Sequence, residues 1–316
     1  MNVIGIDIGG TRIKVGLVKD GVLESYSMLS ADPENGLSFY LPQIEETIRN
    51  LLDKGDGSGF RQMGIGFPGI VDTDKNKVID TSSKYIDAPL LRFDEWAKDT
   101  FNAELKMDND ARLACLGEWR YGAGRGVSNL VTYTLGTGIG SAVVLDGNLL
   151  RGSHYRAGIL GGHFIIDYKD DTYKCSCGKY GCVEAMASMW MIHRMAVQHP
   201  WYDTSLLSMA EYINWKALET FSEQGDKLAL LLQRHCLEIW SIGLVNLIQA
   251  YDPERVVIGG GISNSVDTVL SYFKTVVKNR AWCLDVPEIC GADFPDTAAL
   301  FGAAALYENT PKRGIN

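Results

Sequence analysis

The chain of 316 residues has no uncharged apolar run long enough to cross a bilayer. The longest candidate, Leu228 to Ala250, is broken by Arg234, His235 and Glu238 and reads as a buried helix. Positive charge is also short. Lys and Arg number 30 against 39 Asp and Glu, a net charge of −9. That argues against a general nucleic-acid surface, which needs a basic patch to neutralise phosphates. It leaves room for an anion held locally by backbone amides. A Walker GxxxxGK[ST] motif is missing, as are low-complexity segments and long linkers. Val3–Asp7 reads straight into a strand with a charge at its end, not into a signal peptide. What remains is ordinary: a hydrophobic fraction of 46% and enough length for two domains or one large one.

Cysteine is present in an odd number, seven. Three of them stand close together in Cys175-Ser-Cys177-Gly178-Lys-Tyr-Gly181-Cys182-Val-Glu184, with Gly162-His163 upstream. One imidazole and three thiolates make a full tetrahedral set for Zn²⁺, and a closed Cys₃His site with no open position reads as structural. Gly178 and Gly181 allow the tight turning that would bring three sulfurs together. The alternatives are a disulfide or free core thiols. Zinc here would fix the second ring nitrogen of His163 and the carboxylate of Glu184 toward a neighbouring pocket. Cys115, Cys236, Cys283 and Cys290 lie in apolar or mixed surroundings and read as free core thiols, so a reducing cytoplasm is the expected compartment.

Along the chain, Val3–Asp7, Ile13–Val18 and Val22–Leu29 read as strands, with Gly9-Gly10-Thr11 as one turn and Asp20-Gly21 as a hairpin. A helix is predicted over Leu37–Asp53, a strand over Met63–Phe67 ending at Pro68-Gly69, a helix over Phe93–Phe101 and a strand over Glu104–Met107. Asp108 is placed as the N-cap of a helix from Asn109 to about Tyr121. The second half restarts the first: strand Leu130–Leu135, turn Gly136–Gly140, strand Ser141–Leu145, hairpin Asp146-Gly147. Helices are predicted at Met186–His199, Ala210–Thr220 and Gly225–Tyr251, then a strand at Arg255–Ile258 running into Gly259-Gly260-Gly261, and a small-residue helix at Ala298–Tyr307. A repeat of such long period points to duplicated α/β halves around a cleft, not to a solenoid.

Glycine lets backbone amides approach an anion closely, and the hydroxyls of Thr11 and Thr137 add donors. Asp7, at the end of the first strand, could hold Mg²⁺ through water, and Lys14 could add positive charge. Singly, each glycine cluster reads as an ordinary tight turn. At matched positions in duplicated units, they point toward nucleotide binding.

The arrangement resembles the sugar kinase, Hsp70 and actin superfamily. Within it, six segments together are similar to the ROK family. They are Asp7-Ile-Gly9-Gly10-Thr11, Gly66-Phe-Pro68-Gly69-Ile-Val-Asp72, Asn109-Asp110, Leu135-Gly136-Thr137-Gly138-Ile-Gly140, the cysteine motif through Glu184, and Ile258-Gly259-Gly260-Gly261-Ile262-Ser263. The resemblance implies a two-lobed actin-like ATPase (ribonuclease H-like) α/β fold. Residues 1–108 with 298–316 would form a small lobe, and 109–297 a large lobe with the zinc and the nucleotide site. It implies an ATP-dependent hexokinase, with glucose the default substrate, using Mg²⁺ with ATP and a structural Zn²⁺. The first two hairpins would meet the phosphates, and Gly259, Gly260 and Gly261 would lie beside adenosine. Asp110 would take the proton of the sugar 6-hydroxyl; Asn109, the Gly69 backbone, His163 and Glu184 would line the sugar. A homodimer is implied, for which Trp190, Trp215 and Trp240 could supply an interface or could equally be core.

One departure stands out. The family commonly reads Ala-Gly-Glu-Ile-Gly-His before the zinc histidine, whereas this chain reads Ala157-Gly-Ile-Leu160-Gly-Gly-His163. The usual glutamate falls at Leu160. The expected consequence is another hexose, an N-acetylhexosamine or a β-glucoside as acceptor, weak affinity for free glucose, or a sugar-sensing role with reduced catalysis. A family repressor would carry a DNA reader ahead of the first strand, which here begins at residue 3, so that reading is set aside.

Overall fold

A computed structural model describes residues 1–54, 60–262, 266–283 and 285–308. Chain contacts divide it into two units. The first takes Met1–Ser128, Asp146–Ala157 and Asp296–Asn316; the second takes Asn129–Leu145 and Gly158–Pro295.

The first unit contains strands β1 (Asn2–Ile8), β2 (Arg12–Lys19), β3 (Val22–Ser30), β4 (Gln62–Phe67), β5 (Ile70–Asp72), β6 (Lys77–Asp80) and β7 (Glu104–Asn109), with helices α1 (Leu41–Lys54), α2 (Phe93–Phe101) and α3 (Asp110–Tyr121). Its main sheet has the order β3-β2-β1-β4-β7. The β1–β2–β3 meander is antiparallel, and β4 and β7 add in parallel. Apolar residues on both faces of β1 and β4 make these the buried centre of the sheet.

The later chain adds β8 (Leu130–Leu135), β9 (Ile139–Leu145), β10 (Asn148–Leu149), α4 (Val183–Ala187), α5 (Met189–Gln198), α6 (Trp215–Glu223), α7 (Lys227–Tyr251), β11 (Arg255–Gly260), α8 (Val266–Arg280), β12 (Glu288–Gly291) and α9 (Ala298–Ala305). In the second unit β9 pairs antiparallel with β8, and β11 then β12 follow in parallel. This repeats the β2-β1-β4-β7 arrangement. The hairpin turns match as well. Asp20 and Gly21 have φ of 47° and 80°, and Asp146 and Gly147 have 50° and 71°. Two successive positive values define the tight turn that Asp-Gly favours.

The contacts place α3 in the first unit, whose first segment runs to Ser128. The cause is packing against α9. A Cβ on Gly302 would lie 1.8 Å from the carbonyl oxygen of Leu113, and one on Gly117 would lie 2.0 Å from that of Ala298. Only glycine lets the two helix backbones approach this closely. The small residues of α9 also reach the sheet: Ala303 sits against Gly64 of β4.

Several elements differ from the sequence-based expectation. Helix α1 begins at Leu41 because the amides of Leu37 and Ser38 are bound by the Asp87 carboxylate at 2.7 and 2.8 Å, outside a helix. The helix predicted over Met186–His199 is two helices, α4 and α5, broken where Ser188 is extended. Helix α6 starts at Trp215, capped by Asn214. Trp215 and Trp240 pack together, with ring centroids 4.8 Å apart. Both are buried in core, which removes them as an interface. Helix α7 is capped by Asp226 and ends at Asp252, in the left-handed region before Pro253. It is long and apolar enough to cross a membrane by length and composition, but 56% of its apolar window is buried in the protein. Cys283 and Cys290 are only partly buried, unlike Cys115 and Cys236.

Candidate functional site

In the first unit, the C-terminal ends of three adjacent parallel strands gather the candidate residues. Asp7 is in register with Gly66, and Gly66 with Asp108. After β1 the chain turns back on itself, with the Gly9 amide donating to the Arg12 carbonyl at 2.9 Å. Asp7 and Lys14 are cross-strand partners, and the Lys14 ammonium lies 3.3 Å from the Asp7 carboxylate. Burial raises the Asp7 pKa, and Lys14 opposes the rise.

Asp110 opens α3. Its Oδ1 accepts from the Ala111 amide at 2.8 Å and from Asn109 Nδ2 at 2.9 Å. Burial, and then the Asp7 charge, push its pKa up to about 7. A carboxylate with its pKa near the working pH is suited to accept a proton. Asn109 is both cap and spacer. Its Oδ1 accepts from the Arg112 amide at 3.2 Å, and its Nδ2 donates to the Gly69 carbonyl at 3.0 Å. Gly69 is thereby tied to the base of α3. A Cβ there would collide with the Asp80 carbonyl at 2.1 Å.

The capping role expected of Asp108 therefore falls to Asn109. Asp108 is still within β7, fully buried, and serves two arginines. Its Oδ1 lies 3.1 Å from Arg112 Nη1, and its Oδ2 lies 2.8 Å from Arg151 Nη2. Arg112 uses its remaining donors on the carbonyls of Leu150, Tyr155 and Ala157. This fastens the 150–157 segment to the start of α3. Asp108→Ala is expected to lower unfolding stability by about 3–5 kcal/mol, because it strands a buried guanidinium; urea unfolding measures it. Sequence reasoning missed this set, in which Asp108 of β7 reaches Arg112 of α3 and the more distant Arg151.

It also missed the segment 81–87. Ser82, Ser83 and Tyr85 have φ of 48°, 68° and 51°. Each non-glycine residue held in the left-handed region costs about 1 kcal/mol or more. Tyr85 is buried, and its hydroxyl donates to the Gly9 carbonyl at 2.7 Å. No pattern in the sequence marks these conformations.

In the second unit the two glycine turns meet. The Gly136 amide donates to the Gly138 carbonyl at 3.1 Å, and the Gly261 amide to the Leu135 carbonyl at 2.8 Å. Gly260 has φ of 94°, and a Cβ there would lie 2.2 Å from the Leu135 carbonyl. Gly259 sits in register with Thr134, one step from that contact. Ser263 lies outside the described residues. The carbonyls of Gly136 and Thr137 accept from the amides of Met189 and Trp190, at the start of α5. Glu184 is buried, and its Oε2 accepts from the Ile139 amide at 3.1 Å while Ser176 donates to its Oε1. It thus ties the turn to the cysteine arm.

Within that arm, the ligand atoms of His163, Cys175, Cys177 and Cys182 all lie within 4.8 Å of one another. Cys175 Sγ is 3.4 Å from His163 Nδ1, and Cys177 Sγ is 3.8 Å from Cys182 Sγ. A tetrahedral zinc with Zn–S near 2.3 Å and Zn–N near 2.0–2.1 Å has edges of about 3.8 and 3.5 Å. The His163–Cys175 and Cys177–Cys182 separations match those edges, and the latter is far too long for a disulfide. With Nδ1 turned toward the sulfurs, Nε2 of His163 is left for another partner. Burial raises the Cys175 pKa, and burial with Cys177 nearby pushes Cys182 up to about 11. Leu160 is 38% exposed and leads into the turn Gly161–His163.

Known proteins of the same build are numerous. The glucokinase of Thermotoga maritima is 33% identical over 98% of each chain. The N-acetyl-D-glucosamine kinase of Salmonella typhimurium is 26% identical over 96% of this chain and 98% of that one. Among solved structures, a ROK family glucokinase from Streptomyces griseus, in complex with glucose and AMPPNP, superimposes with a TM-score of 0.79 at 27% identity, covering 97% of this chain and 99% of that one. Its relatives share the actin-like ATPase fold. The ROK family model matches residues 3–310, and the chain belongs to the ROK family.

Proposed function

We propose that this protein transfers the γ-phosphoryl group of Mg-ATP to the 6-hydroxyl of a hexose. The chain is a sugar kinase, on the strength of its full-length kinship with glucokinases. The observation that carries the finer reading is Asp110, a carboxylate poised near pH 7 beside Asp7 and a glycine turn. Phosphoryl transfer needs little covalent help from the protein. It needs positioning, neutralised charge and an acceptor for the hydroxyl proton. In this reading Asp110 takes that proton. Asn109 and the Gly69 backbone fix the acceptor hydroxyl. The turns formed by Gly9, Gly10 and Thr11 and by Gly136, Thr137 and Gly138 hold phosphate oxygens, and Gly259, Gly260 and Gly261 flank the adenosine.

Asp7 would hold Mg²⁺ through water, and the ion supplies neutralisation of the phosphate charge. His163, Cys175, Cys177 and Cys182 would hold Zn²⁺, whose part is to keep His163 Nε2 and Glu184 in place for sugar hydroxyls. The reading includes a homodimer in the cytoplasm.

Leu160 bears on the acceptor. An apolar side chain cannot accept a hydrogen bond from an anomeric hydroxyl, so an N-acetylhexosamine or a β-glucoside is the alternative acceptor to glucose. ADP release with Mg-ATP is the test, over glucose, mannose, fructose, allose, N-acetylglucosamine, N-acetylmannosamine and a methyl β-glucoside. Turnover that needs one of these sugars is expected. A glucose KM in the ordinary range for such kinases would remove the alternative acceptors, and silence on every sugar would sink the hexokinase reading.

A further inference from the structure

We propose that Lys84 binds the terminal phosphoryl group of a nucleoside triphosphate at the Gly9–Gly10 turn and makes the first unit prefer triphosphate to diphosphate. The side chain already lies there. A Cβ built on Gly10 would be 3.4 Å from Lys84 Cε and 3.5 Å from its Nζ, so the ammonium end crosses the bare face of the glycine. The loop is fixed in that position by the next residue, since buried Tyr85 donates to the Gly9 carbonyl of the same turn. Left-handed backbone at Ser82, Ser83 and Tyr85, on both sides of Lys84, keeps the segment folded toward the turn.

Charge explains what Lys84 is there to meet. Asp7 and Asp110 put two carboxylates beside the turn, and Lys14 is already paired with Asp7 at 3.3 Å. An incoming terminal phosphoryl group adds further negative charge to this place. Lys84 is exposed and carries a charge felt at Asp110. As a compact point charge on a flexible stem, it suits a phosphate oxygen. A diphosphate ends one group short and leaves this contact unmade.

The inference rests on the nucleotide-binding part of the reading above, and its test does not need turnover. Binding of Mg-AMPPNP and of Mg-ADP would be measured by calorimetry on the full chain and on Lys84→Met and Lys84→Arg. Lys84→Met is expected to weaken AMPPNP about tenfold, the scale of one charge-assisted hydrogen bond, and to leave ADP within twofold. Lys84→Arg should keep most of the preference. Equal weakening of both nucleotides, no weakening of either, or a parent chain that binds neither would overturn the inference. A parent that selects AMPPNP through Lys84 yet phosphorylates no sugar would keep this inference and remove the sugar-kinase reading instead.

Discussion

Asp110→Asn is expected to lower kcat about 10³-fold, within the roughly 10²–10⁴ that a positioned general base contributes. The substitution keeps the size of the side chain and an oxygen for the Ala111 amide, while removing the proton acceptor. Sugar KM should change little, since the loss falls on the transition state. The pH profile gives a second reading. A general base works deprotonated, and burial and the Asp7 charge hold the Asp110 pKa at about 7. In the parent, kcat/KM should therefore fall about tenfold per pH unit below that point. In the variant that acid limb should vanish. An Asp110→Asn enzyme with more than a tenth of parental kcat, or a parental limb near the usual carboxylate range of about 4, would remove Asp110 from this role.

The second large effect concerns the metal. Purified protein is expected to carry one zinc per chain, measured by mass spectrometry of the metal, and Cys182→Ser should lose it. Even outer-shell partners of zinc are worth about 10–100-fold in metal affinity, and a direct ligand is worth more. The damage should spread, because Cys182 is the residue from which α4 starts and Glu184 sits in the first turn of that helix. Glu184 holds the Ile139 amide at the edge of the Gly136–Gly140 turn. Loss of zinc should thus lower melting temperature and weaken nucleotide binding together. Metal-free protein with parental melting temperature and kcat would show that the four residues serve some other end.

Why the glycine turns and the cysteine arm were legible in sequence is a matter of locality. Each is written within a few consecutive residues, and each recurs or clusters. The Asp-Gly hairpins at 20–21 and 146–147 were readable for the same reason. Elements whose stability comes from distant partners were not. Asp108 looks like a cap until Arg151, 43 residues away, is seen on its carboxylate. Ser188 interrupts an otherwise helical pattern because Met189 and Trp190 donate to the Gly136–Thr137 turn. Helix α8, strand β12 and the β5–β6 hairpin were not anticipated at all. The first does place Val269, Leu270, Phe273 and Val277 at helical spacing, a signal the sequence reading passed over, and the other two are short. The left-handed residues around Lys84 have no local cause, so only tertiary structure reveals them.

Helix α9 has a consequence for how the protein is made. It fills the space between α3 and the first sheet, yet it is made long after both. The first unit, although its main strands are synthesised before the second unit, must wait with that face uncovered while more than 170 further residues are added between α3 and α9. At about 5–20 residues per second, that interval lasts on the order of ten seconds or more. The second unit, Asn129–Leu145 with Gly158–Pro295, is complete before α9 exists. The order of folding is thus inverted with respect to the order of synthesis. A released chain truncated after Pro295 should carry a protease-resistant second unit behind a protease-sensitive N-terminal region.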